Sequence, residues 1–135
     1  MKIVIDANVI IAAFATHGLC SDIFELCLVQ HDIFLCDTLI QEVRNGLLKK
    51  IKVPRNIVEN IVNFLESKIH RVKPSEVDKH ICRDSKDIMV LGTAESINAD
   101  IILTGDKDLL ILKTYKNIKI VTPRQFLELL KQNHT

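Results

Sequence analysis

Aromatic residues are scarce in this chain: they account for 4% of its 135 residues, and tryptophan is absent. A hydrophobic core must therefore consist mainly of isoleucine, leucine and valine. The total hydrophobic content of 47% argues against an intrinsically disordered chain. A chain of this length has room for one core but not for two, so we expect a single domain spanning residues 1–135.

Long apolar runs are also missing. No run reaches the roughly 18 residues that a membrane-spanning helix requires. The N-terminus has no basic segment followed by a cleavable apolar stretch, which is the pattern of a secretory signal. We therefore expect a cytoplasmic protein that makes no contact with a membrane.

Zinc-type cysteine patterns and an excess of one charge are absent as well. The four cysteines form no C-x-x-C pair, and the five histidines fall into no spacing typical of zinc ligands. We expect the thiols to pack as small apolar side chains.

With 18 basic and 17 acidic residues, the net charge is +1. Binding of nucleic acid would therefore require locally clustered lysines and arginines.

The most informative stretch that is present lies at the start of the chain. A β-branched apolar run at residues 3–5 ends in a carboxylate, Asp6. A run without polar alternation is typical of a strand buried on both faces, as in parallel sheets. Asn8 is expected to cap a helix that begins at Val9. A charge at the carboxyl end of such a strand lies where open α/β sheets bind their ligands.

Further short strands are predicted between segments that carry apolar residues at helical spacing. These strands lie at residues 33–36, 69–72, 101–104 and 118–121. Strands that alternate with helices predict an α/β fold with a parallel sheet and right-handed crossovers.

Four carboxylates occupy comparable places at the ends of these elements. Asp6 ends the first strand, Glu42 lies on the helix after the second, Asp87 lies in the first turn of the helix before the fourth, and Asp106 directly follows the fourth. Strand carboxyl ends and the N-termini of following helices share one edge of a parallel sheet, so these acids are expected to converge. Asp87 also shares a helix face with apolar residues four and seven positions later, which turns its side chain inward.

Converging carboxylates without a basic partner repel one another, and a hard divalent cation resolves that repulsion. Mg²⁺ and Mn²⁺ take oxygen ligands, and such a site can activate water for displacement at phosphorus. The pattern therefore favours phosphodiester hydrolysis. Asn8, Thr38 and Thr104 lie near the same edge, either as groups that orient ligands or waters, or as simple caps and turn residues.

Five segments, taken in order, carry a family resemblance. They are an opening strand with D-x-N at residues 3–9, a helix with the second acid at 40–44, a segment with the third acid at 83–87, the T-G-D-x-D-L segment within 102–109, and a closing strand and helix at 121–127. Over nearly the whole chain they resemble the PIN domain, in particular the PIN-type toxins of bacterial and archaeal toxin–antitoxin systems.

The resemblance implies a central parallel five-stranded sheet of order 3-2-1-4-5, flanked by helices, with an acidic cleft that holds Mg²⁺ or Mn²⁺. It also implies endonuclease activity, usually on RNA, in a toxin that is neutralised by an antitoxin protein and often forms a homodimer. The acids that carry over are Asp6, Glu42, Asp87 and Asp106 as the core, with Asp108 as an auxiliary acid. Residues 85–86 depart from the family pattern, because relatives often have a proline and a further acid there.

We therefore hypothesise metal-dependent hydrolysis of single-stranded or looped RNA. Asp6, Asp87 and Asp106 would hold the metal directly or through water, and Glu42 would hold a second metal or position the attacking water. A basic group at a helix junction either holds the phosphate backbone or is simply solvated. It consists of Lys49, Lys50, Lys52 and Arg55.

Three alternatives belong to other functional classes. A catalytically silent PIN-like protein would hold RNA or an antitoxin as a scaffold, and the intact set of acids argues against it. A receiver-like signalling module would use groups such as Thr104 and Lys107, but it needs an aspartate after the third strand, and residues 71–73 provide none. A phosphatase of the haloacid-dehalogenase type requires D-x-D at the first strand, where Asn8 stands instead and cannot transfer a proton.

Overall fold

A computed structural model describes residues 1–132, so the last three residues of the expected domain lie outside the described part. The strands are β1 (Lys2–Ile5), β2 (Asp32–Leu35), β3 (His70–Arg71), β4 (Ile101–Leu103), β5 (Thr114–Tyr115) and β6 (Ile118–Val121). The helices are α1 (Ala7–Ala15), α2 (Leu19–Gln30), α3 (Asp37–Lys49), α4 (Arg55–Lys68), α5 (Ser85–Ser96), α6 (Lys107–Leu110) and α7 (Pro123–Gln132).

The strands form one sheet of order β3-β2-β1-β4-β6-β5. All pairs are parallel except β5 with β6. The predicted α/β fold is confirmed, and the predicted strand order corresponds to β3-β2-β1-β4-β6. This order places β1 and β4 side by side at the centre, so the residues that follow them lie next to each other.

The predicted count of five strands is wrong, because β5 adds a sixth strand at the edge. Lys116 and Asn117 between β5 and β6 both have positive φ values, 47° and 69°. Two consecutive left-handed residues make the tight turn that joins antiparallel strands. Thr114 thereby pairs with Lys119, and Tyr115 pairs with Ile118. Neither turn residue is glycine, so this hairpin has a weak signal in the sequence.

The central strands are buried on both faces, which explains their lack of polar alternation. Ile3, Val4 and Ile5 are each at most 1% exposed. The three residues of β4 are also buried. Helices cover both faces of such a sheet, so its polar groups are confined to the strand ends.

The first helix begins earlier than predicted. The N-cap is Asp6 rather than Asn8, and α1 starts at Ala7. The Asp6 carbonyl accepts hydrogen bonds from the amides of Val9 and Ile10, at 3.0 and 3.3 Å. Asn8 is therefore an exposed residue of the first turn. This early start leaves the Asp6 side chain directly at the junction of β1 and α1.

The structure bears on two expectations from the sequence, which concern the cysteines and membrane-spanning helices. All four cysteines are free thiols; three are buried and Cys20 is half-buried, as expected for small apolar side chains. Within residues 1–132, no single helix has the length and apolar character needed to cross a membrane. Helices α1 and α2 reach that length and composition only as a pair, and the pair is bent by 109°.

Candidate active site

A cavity of about 500 Å³ opens where β1 and β4 end and α5 and α6 begin. Five carboxylate side chains line it: Asp6, Glu42, Asp84, Asp87 and Asp106. The four acids expected to converge are thus all present in one cavity, although they come from four separate parts of the chain. Their roles in binding or catalysis stay predictions at this point.

Asp6 and Asp106 are tied together by the buried side chain of Thr104. The Thr104 hydroxyl donates a hydrogen bond to Asp6 Oδ2 at 2.8 Å and accepts one from the Asp106 amide at 3.0 Å. The Asp6 amide donates to the Leu103 carbonyl at 2.8 Å. Burial raises the pKa of Asp6, and the hydrogen bond from Thr104 opposes that rise. Thr104 therefore holds the ends of β1 and β4 in one arrangement.

Thr104→Val is expected to lower the free energy of unfolding by about 1–3 kcal/mol, because the Asp6 carboxylate and the Asp106 amide both lose their partner in a buried place. Thr104→Ser keeps the hydroxyl and serves as the matched control. Urea denaturation in EDTA would measure the free energy of unfolding of both variants and of the parent. Equal stability of the Val variant and the parent would show that this hydroxyl does not hold the two strand ends.

Asp87 is the most strongly perturbed acid of the cavity. Its residue is only 3% exposed, and no group within residues 1–132 forms a hydrogen bond with its Oδ2. Burial, followed by the nearby charges of Asp106, Asp84 and Asp6, raises the pKa of Asp87 to about 7. The inward orientation predicted from its helix face is confirmed. A buried carboxylate oxygen without a partner is the kind of group that a bound cation satisfies.

Glu42 lies on α3 and reaches the same cavity. Its residue is half-buried, and its Oε1 is buried without a hydrogen-bond partner among the described residues. Burial raises the pKa of Glu42, while the charge of Lys86 opposes that rise. Glu42 is therefore less exposed than an ordinary helical acid.

One carboxylate oxygen from each of Asp87, Asp106 and Asp108 can be chosen so that all three lie within 4.8 Å of one another. Asp106 caps α6, since its Oδ1 accepts a hydrogen bond from the Asp108 amide at 2.8 Å. Asp108 also forms an ion pair with Arg83 at 3.0 Å. Oxygen donors at this spacing, together with the unpartnered oxygen of Asp87, fit a hard divalent cation.

The other predicted site residues divide into two groups. Asn8, Lys49 and Lys50 line the cavity. Thr38, Lys52 and Arg55 are not among its lining residues. Lys52 follows the end of α3 in a left-handed conformation, with φ at 60°, where the chain turns towards α4.

Sequence reasoning missed three polar residues that line the cavity: Asn45, Lys86 and, as a site residue, Asp84. Asp84 caps α5, and its Oδ1 accepts a hydrogen bond from the Lys86 amide at 2.9 Å. Asn45 and Lys49 lie three and seven positions after Glu42, on the same helix face. That spacing was a usable signal for Asn45 once Glu42 was placed in the site.

Two solved structures are similar in fold to this chain. VapBC2 from Rickettsia felis, bound to a DNA fragment from its promoter, is 14% identical with a TM-score of 0.64, and the match covers 90% of this chain and 98% of that one. VapBC-1 from nontypeable Haemophilus influenzae is 14% identical with a TM-score of 0.61, covering 92% of this chain and 99% of that one. At such identity the likeness concerns the fold alone.

Sequence comparison identifies the family. No curated protein matches the sequence. The family model described as PIN domain matches residues 2–108, a span that contains every carboxylate discussed above. The chain therefore belongs to the PIN domain family.

Proposed function

We propose that this protein is a metal-dependent endoribonuclease that hydrolyses RNA phosphodiester bonds with Mg²⁺ or Mn²⁺. PIN domains are generally nucleases and generally use divalent metals. The observation that carries the proposal is the convergence of five carboxylates on one cavity, including the buried Asp87 with its unpartnered oxygen. We further propose that residues 1–135 form one nuclease domain.

The carboxylates would have different roles in metal binding and in catalysis. Asp87, Asp106 and Asp108 would hold the metal, and Asp6 would contribute directly or through water. A bound divalent ion lowers the pKa of a water ligand and neutralises charge that develops on the phosphate. Glu42 would orient the attacking water or hold a second ion, since its Oε1 has no other partner among the described residues.

Neighbouring groups support these roles. The hydroxyl of Thr104 orients Asp6 by a hydrogen bond of 2.8 Å. Asn8 lines the cavity and would orient water or substrate by its amide. Lys49 and Lys50 line the same cavity and would hold the phosphate backbone there. Lys52 and Arg55 are not among the lining residues, so they would contact the RNA only outside the cavity.

We also propose that the protein is a toxin that an antitoxin protein neutralises, and that it forms a homodimer. The two similar structures are VapBC toxin–antitoxin complexes. The described surface carries an apolar groove of about 800 Å³ that shares no lining residue with the acidic cavity. Phe14, Phe24, Val29 and Phe64 line this groove, and Val29 is 82% exposed. Such a surface suits the apolar face of an antitoxin.

Metal-dependent cleavage of a mixed pool of long RNAs tests the proposed reaction. The protein would be purified under denaturing conditions and refolded, so that no bound antitoxin remains. We expect RNA fragments on a denaturing gel with Mn²⁺ or Mg²⁺, no fragments with EDTA, and renewed cleavage when the metal is restored. The reason is that a polyanion cannot approach the carboxylates unless a cation neutralises their charge. Cleavage that is indifferent to EDTA, or no cleavage by refolded protein with metal, would contradict the proposal.

A further inference from the structure

Lys86 is a cation placed at the edge of the acidic cavity by the first turn of α5. Its amide donates to Asp84 Oδ1 at 2.9 Å, which fixes the backbone at the start of the helix. Its side chain lines the cavity beside Asp87, the next residue. Within residues 1–132 its ammonium group forms no ion pair, whereas Arg83 pairs with Asp108.

The acids in and near the cavity fall into two groups. Oxygens of Asp87 and Asp106 are close enough to share a cation with Asp108, which is not among the residues that line the cavity. Glu42 lines the cavity but is not part of that group of three. Lys86 from α5 and Lys50 from α3 both reach Glu42 electrostatically, and Lys86 has the larger influence of the two.

This division matters for a nucleic acid, because an RNA strand brings one negative charge with each phosphate. A cation held by the aspartates can compensate only the phosphate that it contacts. The adjoining phosphate needs a separate positive group, and an ammonium without an internal partner is available to it. Lys49 and Lys50 supply such groups from the end of α3, and Lys86 supplies one from a different helix.

We propose that Lys86 binds a non-bridging phosphate oxygen of the RNA strand in the acidic cavity. The strand is thereby held from α3 by Lys49 and Lys50 and from α5 by Lys86. This inference rests on the proposed ribonuclease function. It assigns a substrate-binding role to one of the two positions at which the sequence departs from the family pattern.

Binding measurements on Lys86→Ala test the assignment. The probe is a short fluorescent single-stranded RNA of mixed sequence, with Ca²⁺ in place of Mn²⁺ and intact RNA verified on a gel. We expect the Kd to rise about fivefold, and the slope of log K against log salt to fall by about 0.7, as one phosphate contact is lost. Lys86→Arg should bind nearly as the parent does, because it retains the charge.

Lys79→Ala is the matched control. Lys79 is exposed, does not line the cavity and forms no ion pair among the described residues. Its removal should leave the Kd and the salt slope unchanged. Calorimetric titration should show that Lys86→Ala binds Mn²⁺ at least as tightly as the parent does, because the substitution removes a positive charge near the carboxylates. This result separates loss of a phosphate contact from damage to the aspartates.

The outcomes separate this inference from the function on which it rests. If the parent cleaves RNA and Lys86→Ala binds RNA as Lys79→Ala does, the role of Lys86 is refuted and the ribonuclease function stands. Loss of Mn²⁺ affinity in Lys86→Ala would also refute it, because the residue would then act on the metal site. If the parent neither binds nor cleaves RNA, both fail together.

Discussion

Asp6→Asn is expected to reduce RNA cleavage about a hundredfold or more, because the substitution removes a charge from the metal site. The amide has almost the same shape as the carboxylate, and its oxygen can still accept the hydrogen bond from Thr104. The change therefore tests the charge of residue 6 and leaves the connection between β1 and β4 in place. Cleavage of the mixed RNA pool with Mn²⁺, at equal protein concentration, measures the effect.

Asp22→Asn is a matched control for Asp6→Asn. Asp22 is an exposed residue in the first turn of α2 and does not line the cavity. The control protein, purified identically, should cleave as the parent does. Full cleavage by Asp6→Asn would indicate a contaminating nuclease or a different site. Unchanged Mn²⁺ affinity in Asp6→Asn would remove Asp6 from the proposed metal centre.

Asp87→Asn is expected to stabilise the metal-free protein and to abolish its cleavage of RNA. In the metal-free protein it should raise the free energy of unfolding at about pH 8 by about 1–3 kcal/mol, because it removes a buried charge that other acids repel. It should also abolish cleavage, because a neutral amide is a poor ligand for a hard cation. Urea denaturation in EDTA measures the first effect.

The pH dependence follows from the raised pKa of Asp87. Its carboxyl group titrates near its ordinary value of 3.8 in the unfolded chain and at about 7 in the folded protein. The folded state therefore holds the proton more tightly, and stability is lost as the pH rises from about 4 through about 7. Burial raises the pKa values of Asp6 and Glu42 as well, so they add to the same trend.

Comparison of metal-free protein at about pH 5 and about pH 8 checks this sign. The parent should be less stable at the higher pH, and Asp87→Asn should lose less stability between the two. Mn²⁺ should then stabilise the parent more than the variant, because it binds the folded parent more tightly. A parent protein in EDTA that becomes more stable towards pH 8 would contradict the argument, as would a variant less stable than the parent there.

Several features of the fold were predictable because they depend on neighbouring residues. The run at residues 3–5 has no polar alternation, and β1 is buried on both faces. The inward orientation of Asp87 followed from apolar residues on its own helix face. In contrast, β5 is only two residues long, and its turn depends on left-handed conformations at Lys116 and Asn117. Neither turn residue is glycine, and a strand of two residues shows no alternation, so the sequence contains little signal for this hairpin.

The sequence alone determined the strands of the parallel core, their order through the family resemblance, and the acids at their ends. Apolar periodicity and short motifs specify these features, because each depends on residues close together in the chain. Only the tertiary structure decided which further side chains share a cavity with these acids. Thr104 forms a hydrogen bond with Asp6 across 98 positions of sequence, and Lys86 lines the same cavity as Glu42 from another helix. Helix packing sets where such side chains point, so no local spacing could reveal these contacts.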